Sequence, residues 1–252
     1  MSEHRPRISI VVPVWNEGVN LDIILRIIQA VVKSPHETLV VYDAPEDNSI
    51  PVAKEVQKEH PEEIRLVHND KGRGAINAIQ KGVEESRGAY AVTLMADDIG
   101  PVFALDAMAD LMDKGCELVG CTRYAFGGKV FGGSAMQKIL SRTANRLFRV
   151  FTPSRLTDAT FGPKMFRPEV FKKLTIEARR GWAISFELSV KIQAMGLKVG
   201  EVPITSINRF YAGKSTFSLG SWVGEYVRWF LRGIRTLHGK SLPLPLHKRA
   251  FE

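Results

Sequence analysis

The 252-residue sequence predicts an α/β fold with a mainly parallel sheet flanked by helices. Two observations carry this expectation. Short apolar runs alternate with amphipathic stretches through the front half, and two of those runs end abruptly in acidic loops. A third observation bounds the class: no run approaches the ~18 to 20 apolar residues that a membrane-spanning helix needs. With 44% hydrophobic and 25% charged residues the composition is that of an ordinary folded protein, long enough for one large core.

Ile8 to Val12 reads as a strand that gives way to a loop at Pro13. Asn20 suits a helix cap, with Leu21, Ile24, Leu25, Ile28 and Val32 recurring on one helical face. Leu39 to Tyr42 is a second strand, Ser49 to Gln57 a helix, Ile64 to Val67 a third strand and Gly74 to Ser86 a helix. Ala89 to Met95 forms a fourth strand, Ala104 to Asp113 a helix, and Glu117 to Gly120 closes a fifth strand. The alternation places helices on both faces of the sheet.

The fourth strand runs into Asp97 and Asp98, and the second into the acidic loop Asp43 to Asp47. Open α/β sheets hold ligands at the carboxyl ends of their strands. Paired oxygens there suit a hard divalent cation that also grips a diphosphate. Two solvated aspartates would explain an isolated pair, but a second acidic strand end favours a site. The net charge of +8 conceals an asymmetry: residues 1–132 carry −6 and residues 133–252 carry +14. A basic rear half meets anions, whether nucleic acid, an anionic membrane or a phosphorylated substrate.

Other chemistries find little support. A nicotinamide fingerprint needs Gly-x-Gly-x-x-Gly directly after a strand, whereas the first strand leads into Pro13-Val-Trp-Asn-Glu17 and Gly72-Arg-Gly74 lacks the third glycine. Cys116 and Cys121 are expected to be reduced and buried, and the six histidines show no ligand spacing. No nucleic-acid reading motif is present. The N-terminal residues lack the apolar core of a signal peptide.

Five segments, in order, carry a resemblance. Pro13-Val-Trp15-Asn16-Glu17 matches a Pro-x-x-Asn-Glu loop, and Val40-Val-Tyr-Asp43-Ala-Pro-Glu-Asp47-Asn-Ser49 resembles Val-Val-Asp-Asp-Gly-Ser-x-Asp-x-Thr. Asn69-Asp-Lys-Gly72-Arg-Gly74 resembles Asn-x-x-Gly-x-Gly, and Asp158-Ala-Thr-Phe-Gly162 with Arg167 resembles Asp-x-x-x-Gly-x-x-x-x-Arg. Glu201-Val-Pro203-Ile204, Arg209 and Gly213-Lys214-Ser215 complete the series. Together, over residues 8 to 217, they resemble the family 2 glycosyltransferases with a GT-A fold, above all the polyprenyl- or dolichyl-phosphate sugar synthases. The chain departs at two places: Met95-Ala96-Asp97 stands where the family has Asp-x-Asp, and Tyr42 replaces the first of an acidic pair.

The resemblance implies an inverting transfer of a hexose from a nucleotide-sugar, GDP-mannose or a UDP-sugar, to a polyprenyl or dolichyl phosphate with Mg2+ or Mn2+. Pro13, Trp15, Asn16, Glu17, Asp43, Asn69, Gly72, Ala96, Arg209 and Lys214 would meet the donor. Asp97, helped by Asp98, would hold the metal, and Arg123 and Arg142 would face the acceptor phosphate, with Asp158 also among the catalytic residues. A lipid phosphate is already ionised and needs no base, whereas a sugar hydroxyl acceptor would need one, with Asp158 or Glu187 the candidates. A basic nucleic-acid- or membrane-binding module without catalysis is the alternative of a different class. Residues 1–217 are expected to form the catalytic domain and 218–252 a basic amphipathic helix and tail. Ser134 to Phe151 and Leu219 to Leu237 both combine apolar and basic faces, which suits peripheral attachment to the cytoplasmic face of a membrane, directly or through a membrane-anchored partner subunit.

Overall fold

In a computed structural model the chain is described over residues 5–132, 134–207 and 219–250. The front half alternates as its hydrophobic pattern predicts: β1 (Ile8–Val14), α1 (Gly18–Val31), β2 (His36–Tyr42), α2 (Ser49–Glu59), β3 (Ile64–His68), α3 (Ala75–Glu85) and β4 (Tyr90–Thr93). A short 3-10 turn leads into α4 (Leu105–Asp113) and β5 (Leu118–Thr122). The rear half supplies β6 (Lys129–Phe131), α5 (Ala135–Phe151), β7 (Lys164–Phe166), α6 (Pro168–Lys172), α7 (Ala183–Ala194), β8 (Val199–Pro203), β9 (Thr205–Ile207), α8 (Leu219–Leu237) and β10 (Leu246–His247).

Eight strands form one sheet in the order β10-β8-β5-β7-β4-β1-β2-β3. Only β7 runs against its neighbours β4 and β5. The carboxyl ends of β1 to β5 and β8 therefore share one edge, and β6 pairs with β9 in a small parallel sheet beside it. Alternation along β1 divides the core. Ile8, Ile10, Val12 and Val14 pack with α1 and α4, while Val11 turns to the opposite face with Leu39 and Val41.

One local expectation changes. Asn20 does not cap α1, which already begins at Gly18. The start of α2 reaches across instead: Asn48 Oδ1 and Ser49 Oγ accept the Gly18 and Glu17 N–H groups at 3.0 Å each, and Asn20 Nδ2 donates to Glu17 at 2.7 Å. The segment after residue 217, expected as a basic amphipathic helix and tail, contains α8 and β10. Helix α8 buries Trp229 and Leu237 in the core formed with α7, and β10 extends the sheet beside β8. A Cβ on Gly233 would lie 2.6 Å from the Phe148 ring, so only glycine lets α8 seat there.

Much of α8's basic character is spent inside this packing. Lys191, Arg228 and Arg232 surround the Trp229 ring at 5.2 to 6.0 Å, and Arg232 pairs with Glu177 at 2.7 Å. Helix α5 differs: Ile139 and Val150 are 62% and 70% exposed, with Met136, Leu140, Leu147 and Phe151 exposed on the same helical face. Both cysteines are free and buried, and burial raises the Cys116 thiol to about 11. Among the described residues no helix is long and apolar enough to cross a membrane.

If α8 belongs to the core, Trp229→Ala should cost about 3–5 kcal/mol in denaturant unfolding, as large-to-small core changes do. Val227→Ser, on the solvent side of the same helix, should stay within about 0.5 kcal/mol.

Candidate active site

At the shared edge the loops after β1, β2 and β3 are tied into one rim. Asn16 takes a left-handed φ of 55°, a conformation asparagine tolerates. Its N–H donates to Asp47 Oδ1 at 3.0 Å, and its side-chain carbonyl accepts from the Asn48 N–H at 3.3 Å. The Asp43 carboxylate accepts from Asn69 Nδ2 at 2.7 Å and from the Gly74 N–H at 2.8 Å. Asn69 Nδ2 also donates to the Gly72 carbonyl at 2.7 Å. Gly72 and Gly74 hold φ of 96° and 121°, which a side chain would strain, so the glycines let this loop fold back onto Asp43. Trp15 stands exposed at the rim with the Arg73 guanidinium 5.4 Å from its ring. Pro13, Trp15, Asn16, Glu17, Asp43, Asn69 and Gly72 are thus brought together, with Ala96 and Asp97 following β4 at the same edge.

Asp98 is corrected as a metal ligand. It is fully buried, and its carboxylate accepts from the Gly100 and Ile207 N–H groups at 3.0 Å each and from the Ser206 hydroxyl at 2.5 Å. Burial raises its pKa, against the pull of these donors. The junction is tight: a Cβ on Gly100 would sit 2.1 Å from the Thr205 carbonyl oxygen. Asp98 therefore pins the loop that carries Asp97 to the end of β9, just before residues 208–218. Arg209 and Lys214 lie outside the described residues.

On the basic side, Arg123 leaves the end of β5 and meets Asp158. Its Nε and a terminal nitrogen donate to the carboxylate at 2.7 and 3.1 Å, and its main-chain N–H adds a bond at 3.3 Å. The guanidinium lies 4.2 Å from the Phe161 ring centroid. Burial opposes its charge, but Asp158 outweighs this and holds the Arg123 pKa above its ordinary value. Asp158 is fully buried and also accepts from Asn145 at 3.2 Å and Thr160 at 3.3 Å. It positions Arg123, and the expectation that it acts as a catalytic group or base is corrected on that ground. Arg142, on α5, comes from the other side: both guanidinium groups approach the Tyr124 ring, Arg123 at 5.0 Å and Arg142 at 5.4 Å.

Glu187, the other candidate base, is equally committed. It is fully buried, pairs with Lys191 at 2.6 Å, and accepts from the Glu177 and Ala178 N–H groups at 2.8 and 2.7 Å. The sequence reading missed Tyr124, Asn145 and Lys164. Lys164 is buried and donates to the Asp158 carbonyl at 3.1 Å, and burial lowers its pKa. Adjacency to Arg123 was the one signal for Tyr124, whereas nothing local marks Asn145 or Lys164 as buried.

The two neighbouring aspartates should therefore respond differently. Asp98→Asn sets an amide N–H2 against either the Ser206 hydroxyl or the Gly100 and Ile207 N–H groups and should cost about 1–3 kcal/mol of stability. Asp97→Asn, at a half-buried position, should change stability by less than about 0.5 kcal/mol while removing most transferase activity. Thermal melts and turnover of both variants separate the roles.

Comparisons with known proteins bear on the family and the fold. The glycosyl transferase family 2 profile matches residues 9–175. A polyprenol monophosphomannose synthase of Mycolicibacterium smegmatis is 29% identical over 90% of this chain and 88% of its own. A dolichol-phosphate mannosyltransferase of Pyrococcus furiosus is 27% identical over 90% of this chain, which spans only 63% of that relative's length. Among solved structures, glucosyl-3-phosphoglycerate synthase of Mycobacterium tuberculosis with Mn2+, UDP-glucose and phosphoglyceric acid superposes with a TM-score of 0.71 at 16% identity, over 95% of this chain and 81% of that one. The same enzyme with Mg2+ and UDP gives 0.69 at 16% identity, with the same coverage. The fold is GT-A, and the chain belongs to glycosyl transferase family 2.

Proposed function

We propose that this chain transfers a hexose, mannose before others, from a nucleotide-sugar to a polyprenyl phosphate with inversion at the anomeric carbon. One observation carries the choice of acceptor. Asp158 and Glu187, the carboxylates that could deprotonate a hydroxyl, are both buried and consumed by Arg123 and Lys191. An ionised phosphate needs no base, only cations that hold and orient it. Arg123 and Arg142 converge on Tyr124 from β5 and α5, and guanidinium groups suit a phosphate's paired oxygens. The names of the two mannosyltransferase relatives point the same way.

In this reading a phosphate oxygen attacks the anomeric carbon, the bond from that carbon to the diphosphate oxygen breaks, and a nucleoside diphosphate leaves. The rim of Asp43, Asn69 and Gly74 with Trp15 receives the nucleotide. Glu17 stands beside it, its N–H fixed by Ser49. Arg209 and Lys214, outside the described residues, would meet the diphosphate by the family resemblance alone. Asp97 would hold Mg2+ or Mn2+, whose charge would favour departure of the diphosphate.

The acceptor's lipid calls for a membrane surface, and helix α5 supports one. Its exposed apolar face, Met136 to Phe151, is bordered by Lys138, Arg142, Arg146 and Arg149. The protein would sit peripherally at the cytoplasmic face, where nucleotide-sugars are available. Helix α8 contributes less than its sequence suggests, because Trp229 faces the core.

A panel of nucleotide-sugars with short polyprenyl phosphates, read by mass spectrometry, tests the activity. Glycosylated lipid phosphate is the expected product, and Glu187→Gln should fall well short of the ~100-fold loss that removing a general base brings. A loss of that size in the folded variant favours a hydroxyl acceptor. For the membrane, the full chain should cosediment with anionic vesicles and release with salt, each basic residue near the surface contributing about 1 kcal/mol. Ile139→Ser combined with Val150→Ser should weaken cosedimentation and spare activity on a water-soluble acceptor. Retention of full vesicle binding would assign α5 to a partner subunit instead.

A further inference from the structure

Arg123 and Arg142 carry like charge, yet both guanidinium groups come to the Tyr124 ring, 5.0 and 5.4 Å from its centroid. Like charges repel, so the rest of the structure has to bring them together. On the strand side, the Thr122 hydroxyl accepts the Tyr124 and Ala125 N–H groups at 3.1 and 3.2 Å and meets the Thr157 hydroxyl at 2.6 Å. The chain then doubles back closely, because a Cβ on Gly128 would lie 2.7 Å from the Arg123 carbonyl carbon. The turn that presents Arg123 and Tyr124 is fixed by these contacts.

On the helix side, Ser141 of α5 accepts from an Arg123 terminal nitrogen at 3.1 Å. One turn on, the buried Asn145 amide donates to Asp158 at 3.2 Å and to Thr160 at 2.8 Å, and accepts the Ala159 N–H at 2.9 Å. Helix α5 thus carries Arg142 to the ring while it is locked to the loop that holds Arg123. The bonds from the Arg123 side chain to Asp158 and Ser141 use Nε and one terminal nitrogen, and the other terminal nitrogen takes part in none of them. The Tyr124 hydroxyl stands apart from this network. Its oxygen is buried beside Ser141 without a hydrogen bond of normal geometry, and burial raises its pKa, so it stays neutral.

We propose that Tyr124 is a positioning residue for the acceptor: its ring, rather than its hydroxyl, gathers Arg123 and Arg142 into one cationic face that receives an anionic phosphate. The proposal rests on the acceptor reading above. An aromatic face attracts cations through its quadrupole, and more strongly where water is excluded. That attraction offsets the repulsion between the two guanidinium groups before any anion arrives. The phosphate then meets a pair already in place, which spares the cost of ordering two long side chains on binding. The nucleotide rim lies elsewhere, since β7, β4 and β1 separate β5 from β2, and the ring has no part in it.

Calorimetry of the full chain with a short, water-soluble prenyl phosphate, and separately with GDP and UDP, tests this. Tyr124→Leu removes two cation–ring contacts and should weaken prenyl phosphate binding at least about tenfold, with nucleotide binding kept within about twofold. Tyr124→Phe keeps the ring and loses only an unpartnered hydroxyl, so it should rescue binding to within about threefold of wild type. Phenylalanine carrying one, two or three ring fluorines at position 124 keeps the shape and withdraws charge from the ring face. Prenyl phosphate binding should weaken with each fluorine, a gradient that a ring acting only as packing would not produce. Wild-type binding in Tyr124→Leu, an equal loss in Tyr124→Phe, or a flat fluorine series overturns the inference and leaves the acceptor reading intact. A wild type that binds nucleotide but no prenyl phosphate overturns the acceptor reading itself.

Discussion

A balanced group of buried charges holds the functional edge together. Arg123 and Lys164 are matched by Asp158 and Glu201, all largely removed from water. Glu201 accepts from the main chain at Thr157 and Asp158 and from the Thr157 hydroxyl. Asp158 then grips Arg123, and Lys164 binds the Asp158 carbonyl. Burial pushes the Glu201 pKa up and the Lys164 pKa down, so each depends on its opposite neighbours to stay charged. Removing one member of such a group typically costs about 3–5 kcal/mol, because the survivor is left unpaired. The group joins β5, β7, β8 and the loop before β7, so the position of Arg123 is set by three strands at once.

That constraint accounts for the division of charge along the chain. The acidic front half builds the rim at the ends of β1 to β3, where the carboxylates of Asp43 and Asp47 fold loops. The basic rear half begins beyond β5 and supplies the cations that would face the proposed acceptor. Arg123 stands at the seam. Asp98 links the two halves mechanically, tying the loop after β4 to β9, which pairs with β6. A carboxylate spent on such a link is unavailable as a ligand.

The strands and helices of the front half were legible because short apolar runs alternate there with stretches of helical period. The antiparallel strand β7 was not, since Lys164 at its start looks like a surface residue and only the charges from distant segments allow its burial. Strand β10, two residues long, carries no pattern of its own. Asp98 and Asp158 were misread for one reason: sequence shows that a carboxylate is present but not where its donors come from. The donors of Asp98 include residues 206 and 207, and those of Asp158 include residues 123 and 145. Helix α8 shows the same limit. Its aromatic and basic residues fit a membrane surface on paper, yet Gly233 lets Phe148 approach and the face closes on the core.

The chemical linkage of the product tests the central claim most directly. Phosphorus NMR of the glycolipid formed from a polyprenyl phosphate should show a phosphodiester joined to the anomeric carbon, with no monoester remaining. A product that keeps its phosphate monoester and carries the sugar on a hydroxyl oxygen would contradict the account, and with it the assignment of Arg123 and Arg142 to an acceptor phosphate.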